Sequence, residues 1–330
     1  MTDSWEIYRS TGVPHDGIDH LPDPPPWRRF LGGPALDPPP ASTVHADLVR
    51  ATTYRPGPRT VQQVNAALYL RRPLLVTGPP GTGKTSLAYA VTHELSLGPV
   101  LRWTISSQVT LRDGLYQYDP LSRLRAAGRR AEPSPDDAEE IGRYLRLGPL
   151  GTAMLPYRRP RVLLIDEIDK SDLDLPNDLL TIFEDGVYEI PELVRATTRS
   201  ARVLDASGTS HVTIVGGRVS CRSFPLVIMT SNGEREFPPA FLRRCITVEL
   251  PQPTESELSR IVAAHLPGMV DSSDDIIERF MLRKDGGELA TDQLLNAIYL
   301  TNITGVADRR TLADDMMPYL SARLPDADAD

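Results

Sequence analysis

The stretch that most constrains this chain is residues 73–87, PLLVTGPPGTGKTSL, an apolar run that passes through a glycine-rich loop into a helix-forming segment. Gly78, Gly83, Lys84 and Thr85 satisfy G-x-x-x-x-G-K-[ST], the pattern of a loop that cradles nucleotide phosphates. Gly78, Gly81 and Gly83, interleaved with Pro79, Pro80 and Thr82, let the backbone turn tightly and aim N–H groups at phosphate oxygens. Lys84 supplies a point charge to the β and γ phosphates, and the Thr85 hydroxyl a ligand for Mg²⁺. The helix that opens through Thr85 and Ser86 turns its positive end toward the same anion. ATP and Mg²⁺ are the ligands this loop predicts.

Two further stretches end in groups suited to the same chemistry. Residues 161–170, RVLLIDEIDK, run four apolar residues straight into carboxylates, as a buried parallel strand would, and place them where open α/β sheets bind ligands. Asp166 can hold the hydration shell of Mg²⁺, and Glu167 can orient and deprotonate an attacking water. Residues 225–232, PLVIMTSN, read as another such strand, ending at Asn232. That amide either bridges the γ-phosphate and the water or caps the following turn. Residues 237–250 put Arg243 and Arg244 between a short helix and a strand. Paired arginines are ordinarily surface charges, but phosphoryl transfer gains from a guanidinium supplied by a neighbouring subunit.

Composition narrows the class. The 330 residues are 40% hydrophobic, enough for a real core, and no apolar run approaches the ~20 residues that cross a bilayer. Residues 1–10 lack a basic stretch followed by an apolar one, so the default expectation is a soluble cytoplasmic protein without a membrane association. Cys221 and Cys245 are too far apart for a C-x-x-C metal pair. A net charge of −8 disfavours nucleic acid as a partner.

Residues 1–58 are proline-rich and predict a largely extended arm, with Trp5, Tyr8, Trp27 and Phe30 able to dock on the body or a partner. His15, Asp16, Asp19 and His20 read as a solvated loop rather than a metal site. Residues 59–250 form the predicted α/β nucleotide-binding domain, opened by a helix at 60–70 and carrying inserts at about 107–130 and 211–221. The first insert predicts a loop and a helix, and the charged run 129–140 after it a solvated surface loop. The second, HVTIVGGRVSC, has β-rich arms around Gly216 and Gly217 and predicts a projecting hairpin. Residues 251–322 carry helical periodicity and predict a small helical lid, with an acidic tail at 323–330.

In this order, GPPGTGKT, VLLIDEID, HVTIVGGRVSC, VIMTSN and PPAFLRRC resemble an AAA+ ATPase of the MoxR group over about residues 60–300. The resemblance implies a P-loop NTPase core of three α/β/α layers on a parallel sheet, with a C-terminal helical lid. It implies that Lys84 and Thr85 bind nucleotide and Mg²⁺, that Asp166 and Glu167 serve metal and water, and that Asn232 is the first sensor. Arg244 aligns with the arginine finger, Arg243 being the reserve. It further implies a homo-oligomeric ring, hexameric by expectation, in which the two inserts project toward a central pore. The sequence also resembles actinobacterial MoxR-like ATPases with a proline-rich leader, some found with von Willebrand factor A domain partners. One departure stands out. The second sensor of the family is an Arg or Lys at the start of a lid helix, where GGELATDQLLNA offers Asp292, and Arg283 or Lys284 would have to substitute.

Three functions follow as expectations. The first is a ring ATPase that remodels or activates a partner protein in a chaperone-like way. The second is a nucleotide-dependent assembly switch or scaffold that hydrolyses slowly. The third, a DNA-acting motor, ranks last because the hairpin offers only Arg218 as a cation.

Overall fold

The computed structural model describes residues 5–127, 137–269, 272–284, 289–306 and 308–320. The N-terminal arm lies against the body, and side chains of the body satisfy its backbone where a strand partner otherwise would. Asn65 accepts the N–H groups of Ile7 and Tyr8 at 2.8 and 3.0 Å and donates to the Tyr8 carbonyl at 2.7 Å. Glu94 accepts from Arg9 and Gly12 at 2.7 and 2.9 Å. The buried Arg28 guanidinium donates to the carbonyls of Arg71 and Phe183 at 2.6 and 2.8 Å, and lies over the rings of Phe30 and Phe224. Asp16 and Asp19 face Arg159. The arm is not extended throughout: the proline-free window between Pro40 and Pro56 folds as α1 (His45–Thr53).

Helix α2 (Pro58–Leu70) buries Val61, Val64 and Leu68 and delivers the chain into β1 (Leu74–Thr77). Next come α3 (Lys84–Glu94), β2 (Leu101–Thr104), α4 (Leu111–Leu115), β3 (Tyr116–Tyr118) and α5 (Pro120–Ala127). They are followed by α6 (Asp137–Gly142), β4 (Leu145–Leu147), α7 (Pro149–Ala153), β5 (Val162–Asp166), α8 (Leu175–Asp185), β6 (Val187–Glu189) and α9 (Pro191–Val194). The domain closes with β7 (Ser200–Leu204), β8 (His211–Val215), β9 (Arg218–Ser220), β10 (Leu226–Ser231), α10 (Pro239–Leu242) and β11 (Ile246–Glu249).

Five of these strands form one parallel sheet in the order β11-β1-β10-β5-β2. The apolar runs are unbroken because both faces are covered. Val162 and Leu164 of β5 pack with α2 and α3, while Leu163 and Ile165 pack on the other side with α7 and α8. The core is therefore a three-layer α/β/α sandwich, and all five strands end on the edge that carries the glycine-rich loop.

A second sheet, β3-β4-β7-β8-β9-β6, takes in strands of both inserts together with β4, β6 and β7, and corrects two expectations. The stretch 107–130, predicted as a loop and a helix, also contributes β3, which pairs antiparallel with β4. The hairpin at 211–221 turns through Gly216 and Gly217, both at positive φ (62° and 67°), as predicted. It does not project freely: β7 and β6 flank it, and the Gly217 carbonyl accepts the Ile190 N–H at 2.7 Å. Within the charged run, residues 129–136 lie outside those described, but 137–140 open α6. There Asp137 accepts the N–H groups of Thr197 and Thr198 at 2.9 and 3.1 Å, so this acid joins α6 to the segment that leads into β7.

The C-terminal helices α11 (Glu255–His265), α12 (Asp274–Lys284), α13 (Thr291–Thr304) and α14 (Arg309–Met316) enclose a core of their own around Leu258, Ile277, Phe280, Leu294 and Ile298. The acidic tail lies outside the described residues. Among those residues, no helix is long and apolar enough to cross a membrane.

Candidate nucleotide site

Strand β1 runs out at Thr77, and the loop over Gly78, Pro79, Pro80, Gly81, Thr82 and Gly83 hands the chain to α3 at Lys84. Gly81 stands at φ 76°, and a Cβ there would lie 2.5 Å from the amide nitrogen of Thr291. The first residue of α13 thus rests on the loop, and only a glycine fits beneath it. Gly83 is similarly close to the Tyr54 ring, which follows α1. Burial, with the Glu257 carboxylate adding to it, pushes the Tyr54 phenol up, so it stays neutral. Arm, loop and lid meet at this point.

Lys84 is buried and donates to the carbonyls of Gly78 and Pro79 at 2.6 and 2.8 Å. Thr85 donates to Asp166 Oδ1 at 3.1 Å, closing the sequence separation between the two motifs. Thr230 of β10 donates to the same oxygen at 2.7 Å, and Arg102 of β2 to Oδ2 at 2.7 Å. A hydroxyl and a carboxylate in contact at the foot of an amide-lined loop are the hard oxygen donors that Mg²⁺ takes, so the residues present fit that ion. Thr85 and Asp166 would hold it, and it would neutralise phosphate charge there.

Glu167 follows at φ 63°, a left-handed position for a residue with a side chain, and its N–H donates to Thr230 Oγ1 at 2.9 Å. Its carboxylate meets Lys170 at 3.0 Å, and that hydrogen bond raises the Lys170 ammonium above its ordinary range. An open cleft of about 600 Å³ lies beside it, lined in part by Ser106, Ser107, Asp169 and Lys170. Asp169, almost fully buried, accepts the N–H groups of Asn232 and Glu234 at 2.8 and 3.1 Å. The backbone of Asn232 is therefore fixed by the turn that follows β5, two residues beyond Glu167.

Arg244 is elsewhere. Register pairs Leu74 with Ile246 and Thr77 with Glu249, so Arg244 lies off the start of β11 while the loop lies off the end of β1. A four-residue strand, roughly 13 Å long, separates them. Arg244 instead pairs with Glu184 and donates to the Ala240 carbonyl at 3.1 Å, beside exposed Arg243. Of the lid residues, Asp292 is exposed on α13, and Arg283 is bound to the Asp314 carboxylate at 2.8 Å and its carbonyl at 3.0 Å. The side chain of Lys284 lies outside those described.

Sequence reasoning missed Arg102, Thr230, Tyr54 and Lys170. Thr230 stood in the quoted strand, two residues before Asn232. Arg102 stood in VLRWTI, where the alternation of the strand already set it opposite Leu101 and Trp103.

The family described as AAA domain (dynein-related subfamily) matches residues 73–245, just over half of the 330-residue chain. Among solved structures, the Thermotoga maritima RuvB Holliday junction branch migration motor is similar at 17% identity and a TM-score of 0.41, covering 79% of this chain and 68% of that one.

Proposed function

Since the chain belongs to the AAA domain family, in its dynein-related subfamily, we propose that it hydrolyses ATP at sites completed between subunits of a homo-oligomeric ring. The work of hydrolysis acts on a partner protein, as in the MoxR-like proteins whose motif order the sequence resembles. The observation that carries this reading is the separation of two otherwise matched parts. Lys84, Thr85, Asp166, Glu167 and Asn232 lie at one end of the sheet and Arg244 at the other, a separation that supports a guanidinium offered to a neighbouring subunit's site.

In this mechanism the loop amides and Lys84 bind and neutralise the phosphates, and Thr85 and Asp166 would hold Mg²⁺. Glu167 orients water and takes its proton, and Asn232 positions the same water. Arg244 of a neighbour stabilises charge on the phosphoryl group. Net charge of −8 supports a protein partner rather than a polyanion. On the sequence resemblance, a von Willebrand factor A domain protein is the first partner to test.

The test combines two variants. Glu167→Gln binds ATP and turns it over ~100-fold more slowly or less, the worth of a general base. Arg244→Ala is likewise slow, and mixing the two restores part of the activity through hybrid interfaces; rings that mix without rescue overturn the shared site. A second reading, a slow assembly switch, is favoured by the engagement of Glu167 with Lys170 and of Arg283 with Asp314. Activity measured across protein concentration, with mass by light scattering, separates them: hydrolysis that rises as rings form supports the motor, and slow hydrolysis in assembled rings the switch.

A further inference from the structure

Strand β2 carries a cation into the metal-binding corner of the site. Leu101, Trp103 and Ile105 point into the core on the side of α7, so Arg102 and Thr104 point to the opposite face. Register sets Arg102 beside Leu164 and Thr104 beside Asp166. Leu164 packs on the α3 side, and Asp166, two residues on, shares its face. Arg102 therefore lies on the face of the phosphate loop, and its guanidinium reaches along the strand to Asp166 Oδ2 at 2.7 Å.

An arginine on an edge strand is ordinarily a solvated charge that blocks strand pairing. Arg102 differs because its partner is a carboxylate only 6% exposed, while its own side chain remains 44% exposed and can move. The other oxygen of the same carboxylate accepts from Thr85, so a divalent cation held by Thr85 and Asp166 competes with the guanidinium for the charge of one carboxylate. Meanwhile the start of α13, where the family resemblance expects a cation, carries exposed Asp292, and Arg283 is engaged by Asp314.

We propose that Arg102 reads the terminal phosphate: it rests on Asp166 when the nucleotide is ADP or absent and transfers to the γ-phosphate when it is ATP. A guanidinium forks onto phosphate oxygens more strongly than onto a carboxylate whose charge is already matched by a metal, and ADP offers no γ-phosphate to receive it. Arg102 is thus a specificity-determining residue supplied in cis from β2. The inference rests on the reading of this corner as a Mg·ATP site.

Titration calorimetry on the full chain tests it with Mg²⁺ present, using the imidotriphosphate analogue of ATP, and ADP. Arg102→Gln should weaken the analogue by about 10- to 100-fold, the worth of one charge-assisted contact, and leave ADP within ~2-fold. Arg102→Lys should retain part of the preference, and guards against a loss caused by misfolding. Equal weakening of both nucleotides would make Arg102 a support for Asp166 only, and no change would make it a surface charge; either overturns the proposal. A wild-type chain that binds neither nucleotide overturns the ATPase reading itself and this inference with it.

Discussion

The two ends of the parallel sheet are built differently, yet each holds its reactive group in the same loose way. At the end where the strands finish, Asp166 is fixed by Thr230 and Thr85 through bonds that are buried or nearly so. At the end where they start, Arg28 of the arm braces the surface against the carbonyls of Arg71 and Phe183. On each fixed base stands a group whose charge is matched by a partly exposed ion pair: Glu167 by Lys170, and Arg244, which also donates to the Ala240 carbonyl, by Glu184. Exposed pairs are worth ~0–1 kcal/mol, so both groups can be released cheaply while their supports stay in place. Asp166 is thus held by bonds that need no ligand, whereas the Glu167 carboxylate and the Arg244 guanidinium are matched by charges that water screens.

The largest effect that could break this comparison is at Arg244. Arg244→Ala should lower turnover of the assembled protein by ~1,000-fold, as loss of a trans-acting arginine does, while ATP binding to dilute subunits stays unchanged. Glu184→Ala should be nearly silent in the same assays, because its tie to Arg244 is only a resting contact. A Glu184→Ala loss as deep as that of Arg244→Ala would show that the pair is a structural joint.

Next in size is the brace itself. Arg28→Ala removes a buried guanidinium and leaves carbonyls of Arg71 and Phe183 without their donor, at a cost of about 3 kcal/mol in unfolding free energy. Because Trp27, Arg28, Glu184 and Arg244 line one cavity, the same variant should also weaken hydrolysis in the assembled protein. Denaturant unfolding and steady-state turnover check the two halves, and unchanged stability would remove the arm from the construction of that end.

At the opposite end, Thr230→Val deletes one hydroxyl that serves two neighbours, the Asp166 carboxylate and the Glu167 N–H. Turnover should fall ~100-fold with little change in fold, and Thr230→Ser should recover most of it. Normal turnover in Thr230→Val with a loss in Thr230→Ser would mean that the methyl group, not the hydroxyl, holds the strand ends in register.

These residues also mark how far the sequence could be read. The glycine-rich loop, the acids after β5 and the Gly216–Gly217 turn were legible because each is a local pattern whose chemistry forces its own geometry. Asp166 and Thr85 could be linked in advance only through the Mg²⁺ that each motif predicts, not through strand adjacency. Arg102, Thr230 and Tyr54 were not, since their roles depend on which strand lies beside which and on how the arm crosses the loop. The second sheet was hidden for the same reason. Its strands are three to five residues long, and the pairings β4 with β7 and β6 with β9 join them across intervening elements, so no single window carries the signal. Arg244 was legible as a candidate, and the register of β1 with β11 adds why its own site is out of reach.

The smallest expected effect sharpens the comparison most, because it isolates the cost of releasing Glu167. Lys170 and Glu167 are 39% and 37% exposed, so water screens their attraction and the pair contributes at most ~1 kcal/mol. If the pair holds the carboxylate away from water in the resting chain, Lys170→Ala should raise basal turnover by up to ~5-fold and leave the activity of partner-stimulated rings unchanged. If Lys170 instead keeps Glu167 aimed into the cleft, the same variant should slow both. A rise would make the two ends of the sheet alike in kind, each with a reactive group restrained by a side chain that assembly or a partner displaces; a fall would leave Arg244 as the only group that waits.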